Sequence, residues 1–178
     1  MTVFTDADAC KLEQQIKQAE GFHPTAYRRS SGALTVGFGH SYDTTPTHGL
    51  SRVGDRVTRE EAERLLALDL SDALWRVRKA LPWVTELSPP RQAVLYEMAY
   101  SMGLGLPGAS GLLSLRSTLK FIRSGNYPAA SRSMLASTWA AQACGRAKKL
   151  ARQMDTGEWQ VQTQPPEGAQ ISGSTGSR

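Results

Sequence analysis

Apolar residues recur at steps of three and four near the start of the chain, where Ala9, Leu12, Ile16 and Ala19 would share one face of a helix. Thr5 with Asp8 three residues on forms a capping-box pattern at its start, and Gly21 supplies a stop. The period then changes. Leu34, Val36 and Phe38 alternate with Thr35, Gly37 and Gly39 after a Ser30-Ser31-Gly32 turn signal, which predicts a short β-hairpin within residues 26–41. Residues 44–54 are rich in Thr, Gly and Ser and contain a proline, so they predict a loop or a frayed extra strand.

Helical periodicity returns and holds to the end of the patterned sequence. Thr58 with Glu61 is a second capping box, followed by Ala62, Leu65, Leu66, Leu70, Ala73, Leu74, Val77, Ala80 and Leu81 before Pro82 ends one long amphipathic helix. Ser88 and Pro89 fit the N-cap and first position of another, with Val94, Leu95, Met98, Ala99 and Met102 buried and Gly103 at its end. Beyond a glycine-rich stretch, GLGLPGASG, helices are predicted at about 114–123, 128–137 and 144–154. From residue 162 onward almost nothing apolar remains to be buried, and a flexible tail is expected over 162–178.

The fold class predicted is α+β, mainly α, in a single domain over residues 1–161. A small N-terminal β-hairpin lobe spans about residues 20–57, a long helix connects it to a larger helical lobe, and the cleft between lobes is the natural ligand site. A length of 178 residues is ample for one core without disulfide or metal staples. No apolar run approaches the roughly 18 residues that cross a bilayer, and the start, MTVFTDADACKLEQQ, lacks a basic and apolar export signal.

Charge narrows the class of partner. With 21 Lys and Arg against 16 Asp and Glu the chain carries net +5, which favours an anionic partner. Aromatic residues make up only 7% and no zinc-finger, RRM-like or basic-zipper pattern occurs, so nucleic acid is not expected. Cys10 and Cys144 lie far apart with no CxxC and no neighbouring pair of histidines, so no metal is implied, and both are read as reduced, small core residues. Met98 and Met102, together with Trp75, Trp83, Trp139 and Trp159, are read mainly as core packing.

One acid stands where chemistry could use it. Glu20 closes the first predicted helix just before Gly21, at the negative end of the helix dipole. A glycine-rich hairpin carrying Thr35 follows at once and can place a hydroxyl opposite the acid across a groove wide enough for a sugar chain.

The stretch EGFHPTAYRRSSGALTVGFGH resembles the phage-type (T4-like) lysozymes and endolysins in its order of Glu, Tyr, turn, Thr and closing GxGH. VTREEAERLLALDLSDAL resembles that family's interlobe helix, LYEMAYSMG its central helix and GRAKKLARQMDTGEW its C-terminal segment. The resemblance implies a two-lobed lysozyme-like fold and a peptidoglycan muramidase that cuts between N-acetylmuramic acid and N-acetylglucosamine. By position, Glu20 matches the general acid, Thr35 the threonine that holds the attacking water, and Arg146 the arginine that reaches from the large lobe toward the acid. His40 and Asp69 match a structural ion pair.

The family's second carboxylate, nine residues after the acid, falls here on Arg29, and a guanidinium can be neither base nor nucleophile. Three readings follow: hydrolysis with another carboxylate assisting, Asp43 being the nearest; cleavage by Glu20 alone in the manner of a lytic transglycosylase; or retention of the fold for binding peptidoglycan. Arg29, Gly37, Gly39 and Asp43 are the expected substrate-binding residues, with the two glycines allowing the glycan close to the backbone. The remaining expectations are a monomer without cofactors, making no stable membrane insertion. As an endolysin it would accumulate in the host cytoplasm and reach the periplasmic wall through a holin-type pore; a tail-associated lysozyme would be another setting.

Overall fold

The computed structural model describes residues 3–29, 32–41, 52–106 and 110–160. Helix α1 (Asp6–Glu20) starts at the expected capping box, in which the Thr5 hydroxyl accepts from the Asp8 amide and the Asp8 carboxylate accepts from the Thr5 amide. It ends at Gly21, whose φ of 71° lies in the left-handed region that glycine adopts without strain. The chain turns into strands β1 (His23–Arg28), β2 (Leu34–Gly37) and β3 (His40–Ser41), an antiparallel sheet in the order β1-β2-β3. The expected two-stranded hairpin is thus a three-stranded sheet. A further segment meets β1 through an isolated bridge between Thr25 and Arg56. The Ser30-Ser31 part of the predicted turn and most of the predicted 44–54 loop lie outside the described residues.

Helix α2 (Arg59–Ala80) begins at the second expected capping box, on Thr58 and Glu61. Its 22 residues span about 33 Å at 1.5 Å per residue, enough to run from one lobe to the other. Ala62 near its start packs against Gly37 of the sheet, while Ala73 and Val77 in its second half are buried in the large lobe. A 3-10 turn over Pro82–Glu86 leads into α3 (Pro89–Met102), whose residues from Gln92 to Ala99 are all buried. Such a helix, apolar on nearly every side, is a central core element rather than a surface one. Ser88 precedes it as expected but makes no capping bond. A hydroxyl at that position bonds the second or third amide of the helix, and here Pro90 removes the first of those two.

The large lobe is completed by a 3-10 turn at Leu112–Ser114 and helices α4 (Arg116–Arg123), α5 (Tyr127–Leu135), α6 (Thr138–Gln142) and α7 (Cys144–Thr156). One continuous apolar core runs from Leu12, Val36 and Leu66 to Met134 and Met154. The fold is mainly helical with a small N-terminal sheet, as the hydrophobic pattern predicts. Two packing expectations are corrected. Cys10 and Cys144 are free thiols but exposed, on helix faces turned away from the core. Trp75 is 60% exposed with Lys79 over its ring, although Trp139 is buried and Trp83 and Trp159 pack against the core. The predicted tail at 162–178 lies outside the described residues.

Candidate active site

Glu20 is the last residue of α1, and the reversal at Gly21 brings β1 back beside it. Its side chain is only 10% exposed, yet both carboxylate oxygens are engaged. Arg29, just past the end of β1, donates from Nη2 to Oε2 at 2.8 Å. Arg146, in the first turn of α7, donates from Nη2 to Oε1 at 2.8 Å. Two charge-assisted bonds from opposite lobes therefore fix one carboxylate in orientation. Burial works against the charge of Arg29, but Glu20 and Tyr27 outweigh it and raise the guanidinium's pKa, so Arg29 is a permanent cation.

Gly39 makes this grip possible. A β-carbon there would lie 3.1 Å from Nη2 of Arg29 and 3.2 Å from Oε2 of Glu20, and the residue's φ is 100°. Gly37 serves a different end: its absent β-carbon would stand 2.9 Å from that of Ala62, so this glycine seats the sheet on α2. Nearby, Nδ1 of His40 lies 2.8 Å from Oδ2 of Asp69, clipping β3 to α2 as the structural pair expected from the sequence.

Between the sheet and the large lobe lies a cleft of about 340 Å³, lined among others by Arg29, Thr35, Gly39, Asp69, Tyr100 and Met102. Glu20 does not itself line it; Arg29 and Gly39, which both touch Glu20, do. Thr35 is buried, its hydroxyl donating weakly to the Ala33 carbonyl at 3.3 Å while keeping lone pairs to accept another bond. The two aspartates on the cleft wall are occupied, Asp69 by His40 and Asp72 by Arg76 at 2.8 Å. Asp43 lies outside the described residues. Among the described residues, no group of three or more His, Cys, Asp and Glu could hold a metal ion, and no helix is long and apolar enough to cross a membrane.

Three of the residues picked out from the sequence, Glu20, Arg29 and Arg146, are thus joined by hydrogen bonds, and Thr35 and Gly39 stand on the adjoining cleft. Sequence reading missed two others. Glu97 of α3 is 2% exposed and lies 3.4 Å from Nε of Arg146 through Oε1. Tyr100 of α3 donates its hydroxyl to the Phe38 carbonyl at 2.7 Å. The available signal was the segment LYEMAYSMG itself, in which a lone carboxylate sits in a run that is buried from Leu95 to Ala99.

A helix-end carboxylate beside a glycine-turned sheet, with a long helix joining two lobes across a cleft, defines a lysozyme-like protein. Residues 17–155, more than half of the chain, match the phage lysozyme family, and the protein belongs to it. It is also similar to the pre-baseplate central spike protein Gp5 of Enterobacteria phage T4, with 24% identity over 164 residues that cover 82% of this chain. The chain spans only 28% of that relative's length.

Proposed function

We propose that the protein cleaves the glycosidic bond between N-acetylmuramic acid and N-acetylglucosamine in bacterial peptidoglycan, with Glu20 as the general acid. The observation that carries this reading is the double grip on Glu20 by Arg29 and Arg146 at the edge of the interlobe cleft. Acid catalysis requires a proton on Glu20 and an oxygen turned toward the leaving group. Arg29 occupies Oε2 and also lines the cleft, so an arriving glycan meets the guanidinium first. Peptidoglycan carries carboxylates on its peptide branches, and these compete with Glu20 for Arg29. Once Arg29 turns to the substrate, Oε2 is free to take up a proton and pass it to the glycosidic oxygen. Arg146 keeps Oε1 in place, and the Thr35 hydroxyl holds the incoming water.

The cation at position 29 favours a second outcome at the same site. With no carboxylate there to steady a hydrolytic intermediate, a hydroxyl of the sugar can attack the anomeric carbon itself. Glu20 then protonates the leaving oxygen and receives the proton of the attacking hydroxyl, giving an anhydro product. A glycan-binding protein without cleavage is the remaining reading.

For the setting, we propose accumulation in the host cytoplasm and action on the periplasmic wall after holin-type release. The similarity to a spike protein favours a second setting, in which the same chemistry is carried on the virion.

Incubation with purified peptidoglycan followed by mass spectrometry separates the readings. Reducing muramic ends mean hydrolysis and anhydro ends mean transglycosylation. Intact glycan recovered with the protein means binding alone, and overturns the enzymatic proposal.

A further inference from the structure

Glu97 is the carboxylate that the proposed reaction leaves unused. It lies at the centre of α3, 2% exposed, with Val94, Leu95 and Met98 buried around it. The Nε of Arg146 lies 3.4 Å from its Oε1, while Nη2 of the same guanidinium donates to Oε1 of Glu20 at 2.8 Å. The buried Oε2 of Glu97 has no hydrogen-bond partner among the described residues. Arg29, Glu20, Arg146 and Glu97 therefore form a chain of alternating charge, and one guanidinium serves two carboxylates through different nitrogens. The charged groups acting on Glu97 are Arg146 and Lys149 from α7 and Glu20 from the end of α1; α2, which also packs on α3, places none among them.

We propose that Glu97 is a positioning residue, which competes with Glu20 for Arg146 and so sets how firmly the general acid is held. The inference rests on the reading of Glu20 as that acid. Burial pushes the Glu97 carboxyl up to about 7, against the opposing pull of Arg146 and with a further upward push from Glu20. Below that pH Glu97 is neutral and Arg146 is left to Glu20. Above it the charge on Glu97 claims a share of Arg146, and the grip on Glu20 loosens. Glu97 and Arg146 both border a second cavity, of about 230 Å³, which gives the buried carboxyl a route for proton exchange.

The test follows the Nε–H resonance of Arg146 by NMR through a pH titration of the whole protein, beside the pH dependence of kcat on purified peptidoglycan. Glu97→Gln keeps an oxygen for Nε of Arg146 and removes the charge. In the unaltered protein the resonance shifts with a midpoint near 7, and kcat inflects at the same pH while KM stays level. Both features vanish in Glu97→Gln. An Arg146 resonance with no transition near neutrality, or one that persists in Glu97→Gln, overturns the positioning role. A transition in Arg146 from a protein that cuts no glycan instead overturns the assignment of Glu20 as the acid, and with it anything for Glu97 to position.

Discussion

The Tyr100 hydroxyl donates to the Phe38 carbonyl at 2.7 Å, which ties the central helix of the large lobe directly to the turn between β2 and β3. Burial raises the pKa of this hydroxyl, with Asp69 and Glu20 pushing the same way, so the proton it donates stays in place at any working pH. Tyr100→Phe removes the donor and leaves the Phe38 carbonyl short of a partner. The expected loss is about 1–2 kcal/mol in urea unfolding; an unchanged midpoint would show that the tie contributes nothing.

Glu20→Gln preserves the volume of the acid but cannot deliver its proton. Release of glycan fragments is expected to fall by at least about 100-fold, the scale of general-acid catalysis, while circular dichroism stays that of the parent. Undiminished release in a folded variant would remove Glu20 from the mechanism.

Arg29→Ala frees Oε2 of Glu20 and is expected to lower retention on peptidoglycan in a pulldown, since the cation that meets the anionic substrate is gone. Arg29→Asp goes further by replacing the cation with the second carboxylate that a two-carboxylate glycosidase uses. Reducing muramic ends should then increase relative to anhydro ends in the mass spectrum. If the ratio of the two ends does not move, Arg29 does not decide the fate of the intermediate.

Glu97 makes a prediction for stability as well as for turnover. Its carboxyl sits at about 7 in the folded protein against an ordinary 4.5, so between those values the native state binds more protons than the unfolded one. Stability from this source is present below 4.5 and is lost as the pH rises through 7. The decline is on the order of 3 kcal/mol. Unfolding of Glu97→Gln, measured over the same range, should lack that slope; an identical slope in both proteins would contradict the assignment.

Gly37→Ala tests the seating of the sheet. The new methyl would stand 2.9 Å from the Ala62 side chain at a backbone φ of 65°. A loss of roughly 1–3 kcal/mol is expected from overpacking, visible as a lower melting temperature. An unchanged melting temperature would mean that the sheet lifts off α2 at no cost.

Much of the fold was legible because its signals are local. Thr5 with Asp8 and Thr58 with Glu61 mark helix starts through bonds made within four residues, and the periodic Leu and Ala positions of α2 state which face is buried. Helix α6 escaped notice because five residues are too few to show a period. Cys10 and Cys144 were misplaced because their usual burial is a preference of composition, and their positions on the helix turn them outward.

The site was legible to the extent that single positions carry it. Glu20, Arg29 and Arg146 could be named from order and spacing, but their mutual bonds span 9 and 126 residues and depend on how the lobes close. Glu97 was hidden for the opposite reason: its surroundings are so apolar that the helix reads as core throughout. Only the fold shows that the one carboxylate in that helix faces Arg146.

The first helix is also a ruler. From the Thr5 cap to Glu20 it measures 15 residues, about 22 Å, with each residue advancing the rotation by about 100°. Adding or deleting one residue anywhere along it would leave length and composition almost unaltered. Glu20 would nonetheless swing a quarter-turn or more about the axis, off both guanidinium groups at once. The phase of α1 is therefore under tighter constraint than the identity of most of its exposed side chains, and a change of length within α1 should be tolerated far less than one before Thr5.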